Sequence, residues 1–393
     1  ATLSMTLEDA IMRTLKNNYA VAIQYLGPEA AEYSVSQAKE IFIPTLGFGM
    51  DKRSTQSASY SWLDASEQVN TTYSDAVVTV SQLIPIGGTF TLSLSGYKNW
   101  SNSKFQTVNP RYGGTLRFDF SQPLLRGFGT KMTKYNIILN ENNLQISENN
   151  LESTLINIIF AVESAYWNLA YSIENLKVAQ ESLQLARDLL AKNQRAVEVG
   201  TMAPIDVLSA QAEVASREAD IIATETQVKN NEDRLRSIIN LPEEEMKLAL
   251  PIIPLDRPKY EIKEVSLEEA LMTAMQNRPE LKSLKVQLQN QDLSLSYAKN
   301  QLLPGLNLTA SYWSPGISGS QIIYLDNNPL TGQIIGTIPG GATRALSDAL
   351  GFKYSNWAVG LTLDIPLSNL ISKAAYQQAK LNVEQSMLQL KNQ

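Results

Sequence analysis

Val199-Gly200-Thr201-Met202-Ala203-Pro204 separates the two longest helical stretches of this chain and decides how the rest is read. A glycine stands where a helix ends and a proline where the next begins, the usual asymmetry of helix stops and starts. Upstream, residues 130–199 contain neither proline nor glycine. Leu151, Leu155, Ile158, Val162, Ala165, Leu169, Ile173, Leu176, Leu183, Ala186, Leu190 and Val197 recur mostly at steps of three and four, a coiled-coil seam. At 1.5 Å per residue such a helix reaches about 105 Å, too long for a globular domain. Downstream, a return helix over Ile205–Asn240 covers about 54 Å and stops at Leu241-Pro242. A linker with Pro251, Pro254 and Pro258 follows, and a further helix over Glu280–Leu303 adds about 36 Å. The chain is expected to run far from a strand, turn, and return to another strand in two pieces.

The sequence is also written twice. Thr6-Leu7-Glu8-Asp9-Ala10-Ile11-Met12 aligns with Ser266-Leu267-Glu268-Glu269-Ala270-Leu271-Met272, and the offset of 260 holds without a gap to Leu46 and Leu306. Asn17/Asn277, Ser34/Ser294, Lys39/Lys299 and the helix-ending Pro44/Pro304 stay in register, which chance similarity of two helices would not preserve. Thr6 and Ser266 are expected N-caps, each with a carboxylate three residues on.

Strands follow both copies. Leu46, Phe48 and Met50 alternate with Gly47, Gly49 and Asp51; Phe90, Leu92 and Leu94 with Thr91 and Ser93; Leu116, Phe118 and Phe120 with Arg117 and Asp119. In the second copy Leu306, Leu308, Ala310 and Tyr312, then Val359, Leu361, Leu363 and Ile365, alternate the same way. Aromatics gather near strand ends at Tyr60, Trp62, Tyr73, Tyr97, Trp100, Tyr112, Trp313, Tyr354 and Trp357. A polar face, an apolar face and aromatic ends fit a transmembrane β-barrel. They fit a soluble β-sandwich equally well. The over-long helices favour the barrel. One chain holds too few strands to close it, and open edges cannot face lipid, so several copies must share one ring.

Composition removes most other chemistry. The chain has no cysteine and no histidine, hence no disulfide, no thiolate nucleophile and no imidazole base or ligand. Its net charge of −6 argues against a nucleic-acid partner. No run of about 18 apolar residues offers a membrane-spanning helix. The opening Ala1-Thr2-Leu3-Ser4 lacks the parts of a signal peptide, which suits a cytoplasmic protein or an exported one whose leader is gone.

Three stretches resemble the TolC-like outer-membrane efflux proteins. They are the repeated Leu-Glu-(Asp/Glu)-Ala helix ending at Pro44 or Pro304, the turn Arg195–Gly200 followed by Asp206-Val207-Leu208-Ser209-Ala210-Gln211, and Ser121-Gln122-Pro123-Leu124-Leu125-Arg126-Gly127. The resemblance implies a mixed, mainly α fold with membrane β: a shared transmembrane β-barrel continued by a long coiled-coil-like α-helical barrel, internally duplicated. It further implies a homotrimer in the outer membrane of a Gram-negative bacterium, with the helical part in the periplasm. Small molecules or proteins would be exported with an inner-membrane transporter, joined through a periplasmic adaptor protein. No cofactor, metal or catalytic residue is implied. The adaptor-contacting tip would be Gly200, Thr201, Met202, Ala203, Pro204, Asp206, Val207 and Leu208. A plainer reading has Gly200 and Pro204 only reversing the chain while Asp206 caps the return helix.

The expected organisation is a first-repeat helix over 1–45, barrel strands with an extra hairpin and outer loops over 46–121, and a long helical hairpin over 122–240 with its tip at 199–206. A proline-rich linker at an equatorial joint (241–265) and a second-repeat helix (266–304) come next. Second-repeat strands over 305–366 carry a long outer loop at 314–354, with a short helix near Ala342–Leu350. Residues 367–393 would begin a truncated second hairpin. The extra hairpin, Tyr73–Leu83 and Thr89–Tyr97, departs from two strands per copy and is expected in a wider barrel wall. Two other readings stand beside the channel. Glu243-Glu244-Glu245 and Glu268-Glu269 could serve a carboxylate enzyme, although acids at helix starts and linkers are ordinarily solvated. A periplasmic coiled-coil scaffold or adaptor without its own pore would explain the hairpin but leave the two-faced strands unused.

Overall fold

The computed structural model describes residues 2–59, 67–243, 245, 250–259 and 265–393; Tyr60, Trp62 and Glu244 lie outside them. In chain order the elements are β1 (Leu3–Met5), α1 (Leu7–Asn17), α2 (Tyr19–Lys39), β2 (Thr45–Ala58), β3 (Gln68–Leu83), β4 (Thr89–Ser101), β5 (Val108–Pro123), α3 (Thr130–Thr133), α4 (Tyr135–Glu198) and α5 (Pro204–Ile239). They continue as β6 (Ile252–Pro254), α6 (Leu267–Asn277), α7 (Pro279–Asn300), β7 (Gly305–Tyr324), β8 (Ile334–Ile338), α8 (Ala342–Leu350), β9 (Asn356–Asp364) and α9 (Leu370–Asn392). The chain divides into two units, Ala1–Glu32 with Leu144–Val286 and Tyr33–Asn143 with Gln287–Gln393. No helix among the described residues is long and apolar enough to cross a membrane.

The first unit holds a private core. Val162, Ala165, Tyr166 and Leu169 of α4 pack with Leu235 and Ile239 of α5 and with Met5, Ala10 and Ile252. The seam residues from Leu151 to Val197 are all buried or half-buried, so the three-and-four spacing marks the face that α4 hides. Arg187 on α4 meets Glu218 on α5 at 2.7 Å, and Asn231 donates to the Asn168 carbonyl at 3.2 Å, which makes the two helices antiparallel. α1 begins with a complete capping box: the Asp9 N–H donates to Thr6 Oγ1 (3.1 Å) and the Thr6 N–H to Asp9 Oδ2 (3.2 Å).

The linker over 241–265 proves to hold structure. Ile252–Pro254 forms β6 and pairs in parallel with β1, Leu3 opposite Ile252. A strand so short, preceded by Pro251 and ending on Pro254, carries no alternation by which to recognise it. Tyr166 locks this joint. Its hydroxyl accepts from the backbone N–H groups of Leu255 and Asp256 (both 3.1 Å) and donates toward the Asp256 carboxylate (3.0 Å) and the Met5 carbonyl (3.2 Å). Asp256 in turn accepts from the Leu7 N–H at 2.6 Å. Burial pushes the Tyr166 phenol above its ordinary range.

The second unit is a seven-stranded sheet with its flanking helices. Its strands run β2-β3-β4-β5-β7, all neighbours antiparallel, with β9 and the short β8 pairing different parts of β7. The hairpin β3–β4 thus lies within the sheet, between β2 and β5. β7 extends to Tyr324 and so takes in the first eleven residues of the stretch expected as an outer loop at 314–354. Pro315 and Gly316 read as loop residues, yet they pair with Thr115 and Gly114 of β5 and the ladder passes through them.

Two helix ends differ from expectation. The helix expected from Thr130 breaks at Lys134 (φ −89°, ψ 9°), where Thr133 bonds back to the Gly129 carbonyl at 3.0 Å and competes with the ladder. Ser266 occupies the N-cap of α6 in extended geometry, but its side chain makes no capping bond.

Candidate functional site

Register across the sheet assembles the alternating residues into one surface. Leu46, Val80, Leu92, Phe118, Tyr312 and Trp357 stand opposite one another along β2, β3, β4, β5, β7 and β9. Phe48, Val78, Leu94, Leu116 and Ser314 form the adjacent same-face row, and Phe90, Phe120, Ala310 and Val359 the row on the other side. Because side chains alternate with period two, these rows share one face of the sheet. Much of that face lies bare: Phe48 is 69% exposed, Trp357 74%, Leu361 66%. Such a contiguous apolar surface marks a missing partner or lipid.

The opposite face is polar and organised. Arg117 Nε donates to both oxygens of Asp119 (2.9 and 2.8 Å), and Ser311 donates to Asp119 Oδ1 at 2.6 Å. The Arg117 guanidinium lies 5.3 Å from the centre of the Trp313 ring. The alternation puts Arg117 and Asp119 on the polar side but does not join them to Ser311 and Trp313. Only the β5–β7 register, with Asp119 opposite Ser311, brings them together.

Both lateral edges of this run are open. Among the described residues β2 pairs only with β3 and β9 only with β7, so the sheet does not close within one chain.

The tip residues stand together at the α4–α5 turn. Gly200 takes φ +77°, a left-handed backbone that a side chain would strain, and so stops α4. Thr201 secures the stop: its N–H (2.9 Å) and its hydroxyl (3.0 Å) both donate to the Ala196 carbonyl. Ala203 is the N-cap of α5 and Pro204 opens it. Asp206 is therefore not the cap; it sits in the first turn, where its charge suits the helix dipole. Met202, Ile205 and Leu208 are exposed, as is Val199, while Val207 is half-buried.

α4 also carries a second apolar stripe away from its seam. Ile156, Phe160, Tyr171, Val178, Leu185 and Leu189 are all exposed and fall at steps of four, seven or eleven. The acids Glu268 and Glu269 lie exposed in the first turn of α6, as solvated charge at a helix start does.

Residues 88–241 match the sequence family described as outer membrane efflux protein. A comparison with curated proteins returns no match. Among solved structures, CusC is similar with a TM-score of 0.61 at 12% identity, covering 100% of this chain and 72% of the CusC chain. The CmeC outer membrane channel of Campylobacter jejuni is similar with a TM-score of 0.57 at 16% identity, covering 98% of this chain and 67% of its own. VceC, an outer membrane protein of Vibrio cholerae, is similar with a TM-score of 0.58 at 12% identity, with 98% and 74% covered. At such identities the likeness is one of fold. The resemblance read from the residues therefore holds in two independent ways, in the sequence pattern over 88–241 and in the fold of the outer-membrane channels.

Proposed function

We propose that this chain, related to the outer membrane efflux proteins by its 88–241 segment and by its fold, is one subunit of a homotrimeric export channel in a Gram-negative outer membrane. One observation carries the proposal: an apolar face in register across six strands, exposed at Phe48, Val359 and Leu361, whose two lateral edges are unpaired among the described residues. Lipid covers such a face without a protein partner, and further copies of the chain satisfy the edges by closing the ring. The polar face with Arg117, Asp119 and Ser311 then lines a wet lumen.

The second stripe on α4 supports helices packed on both flanks, as in a helical barrel built from several copies. The internal duplication is supported by matching element starts, Leu7 with Leu267, Tyr19 with Pro279 and Thr45 with Gly305, all three at the offset of 260. The exposed apolar tip at Met202, Ile205 and Leu208 suits a periplasmic adaptor, which links the channel to an inner-membrane transporter for small molecules or proteins. The protein acts as a conduit.

Membrane extraction followed by mass measurement tests this reading. Extraction only by detergent, a complex three times the chain mass, and stepwise conductance in planar bilayers are expected. A protein released by salt and running as a monomer would instead be a scaffold without a pore. A trimer whose efflux is unaffected by replacing Met202 and Leu208 with aspartate would remove the adaptor role from the tip.

A further inference from the structure

The apolar face of the sheet is not bare along its whole length. Met50, Ala76, Gly96, Gly114 and Gly316 form the next row outward, so three neighbouring strands place glycine side by side on the apolar side. α8 lies on that flat strip. A Cβ at Gly114 would stand 3.1 Å from Leu346 Cδ2 and 3.3 Å from the Ala345 carbonyl oxygen, and one at Gly316 would collide with the Ala345 carbonyl. Ala345 and Ala349 are wholly buried beneath the helix, together with Ser314, whose hydroxyl has no partner. The contact is close and dry.

Beyond α8 the chain turns back onto the same face. Phe352 stacks on Phe118 (6.4 Å between centroids) and leans on Tyr312 (6.0 Å). It does so at φ +51°, a backbone that bulky residues avoid, so packing holds it there.

The polarity of the face changes at this level. The row just past the glycines is Lys52, Ser74, Lys98, Tyr112 and Ser318. On β7 the apolar side runs from Leu306 to Ser314 before Gly316. About ten residues at roughly 3.3 Å each, tilted by about 40°, rise about 25 Å, the height of the apolar band on outer-membrane barrels. Below α8 the face is long enough to span the hydrocarbon; above it the face is fit for water.

We propose that α8 is an interfacial helix pinned by the glycine row to the outside of the barrel, where it fixes the outer limit of the hydrocarbon and meets the phosphate headgroups of the lipid. This rests on the apolar face being the lipid face. The outer side of α8 suits headgroups: Thr343, Arg344 and Ser347 are exposed, Lys353 is held beside it by an ion pair with Asp348 (3.2 Å) that leaves Arg344 as the helix's own cation, and Tyr354 and Trp357 supply amphipathic rings at the boundary. Lys52 and Lys98 place two further cations at this level, on β2 and β4.

The absence of native cysteine makes a depth measurement clean. Nitroxides would be placed through Leu361→Cys on the bare face, Ser347→Cys on α8 and Thr331→Cys in an outer turn, in the assembled protein reconstituted in phosphatidylethanolamine–phosphatidylglycerol vesicles. Oxygen should dominate relaxation at 361 and a water-soluble nickel chelate at 331, with 347 between them at headgroup depth. A label at 347 that matches 331, or one as deep as 361, overturns the proposal. Should 361 itself behave like 331, the lipid-facing reading has failed instead. In a Gly114→Leu background the 347 label is expected to move to the 331 value while 361 keeps its depth. An unmoved 347 removes the glycine row from the account. If that variant does not assemble, the three depths in the unaltered sheet still decide.

Discussion

The helical unit and the sheet unit solve the same problem in opposite ways. In the first, Val162, Leu169, Leu235 and Ile239 are completely buried by other parts of the same chain. In the second, Phe48 on β2 and Val359, Leu361 and Leu363 on β9 repeat at strand spacing and remain exposed, and the same-face residues of the inner strands are mostly half-buried. Burial within the chain therefore stabilises one region, while the other depends on what surrounds it. The same kind of apolar sequence gives a core where the period is 3.6 and a lipid-ready surface where it is 2.

Substitutions put that contrast to the test. Leu169→Ala should cost the most, about 2–5 kcal/mol, because it opens a cavity in the private core; denaturant unfolding monitored in the helical unit would measure it, and an unchanged midpoint would dissolve the contrast. Leu361→Arg should cost about 2–4 kcal/mol in lipid, depending on depth. The same change should leave the denaturant midpoint of the helical unit where it was. Unfolding from vesicles, compared with a Thr362→Arg variant on the polar face, checks this: equal losses at 361 and 362 would mean that the two faces do not differ.

Tyr166→Phe should cost about 1–3 kcal/mol by stranding the N–H of Asp256, while the N–H of Leu255 keeps the Met5 carbonyl at 3.1 Å. Thermal unfolding should report the loss, and protease sensitivity around residue 255 should rise. The smallest effect concerns acid. The Glu280 carboxyl is held below its ordinary range by its own backbone N–H at the start of α7 and by Ser153, which donates at 2.9 Å. A depressed folded-state pKa stabilises above the unfolded value and is lost as the pH falls through the folded one. The helical unit should therefore weaken on acidification below the ordinary carboxylate range, and Glu280→Gln should flatten that part of the profile.

Much of this architecture is legible in the residues themselves because glycine and proline punctuate it. Gly200 with Pro204 and the Pro44/Pro304 pair lie within a few residues of real helix ends, and α8 falls where the short helix is expected. Expectation and fold part where the same residues have another use. Pro315 and Gly316 suggest a loop, yet Gly316 is small because α8 rests on it, a reason that only tertiary packing supplies. The β1–β6 pair is hidden because three residues show no period and a parallel partner can lie anywhere in the chain. Tyr166 has one local sign: a phenol beside Ala165 of the seam, whose oxygen must find partners when the ring is buried. At the tip, Asp206 looks like a cap only because the true N-cap, Ala203, has no side chain fit for the role.

The parallel pairing of β1 with β6 has a consequence for biogenesis. Leu7 and Asp256, joined by a hydrogen bond, stand 249 residues apart in sequence. A chain made or translocated from its N-terminal side presents Leu3–Met5 as an unpaired edge until Ile252–Pro254 has emerged. Non-local closure of this kind is slow, and an open edge recruits other strands. The helical unit thus stays unsealed until residue 254 has emerged, and the interval before sealing is when a holding chaperone would matter most.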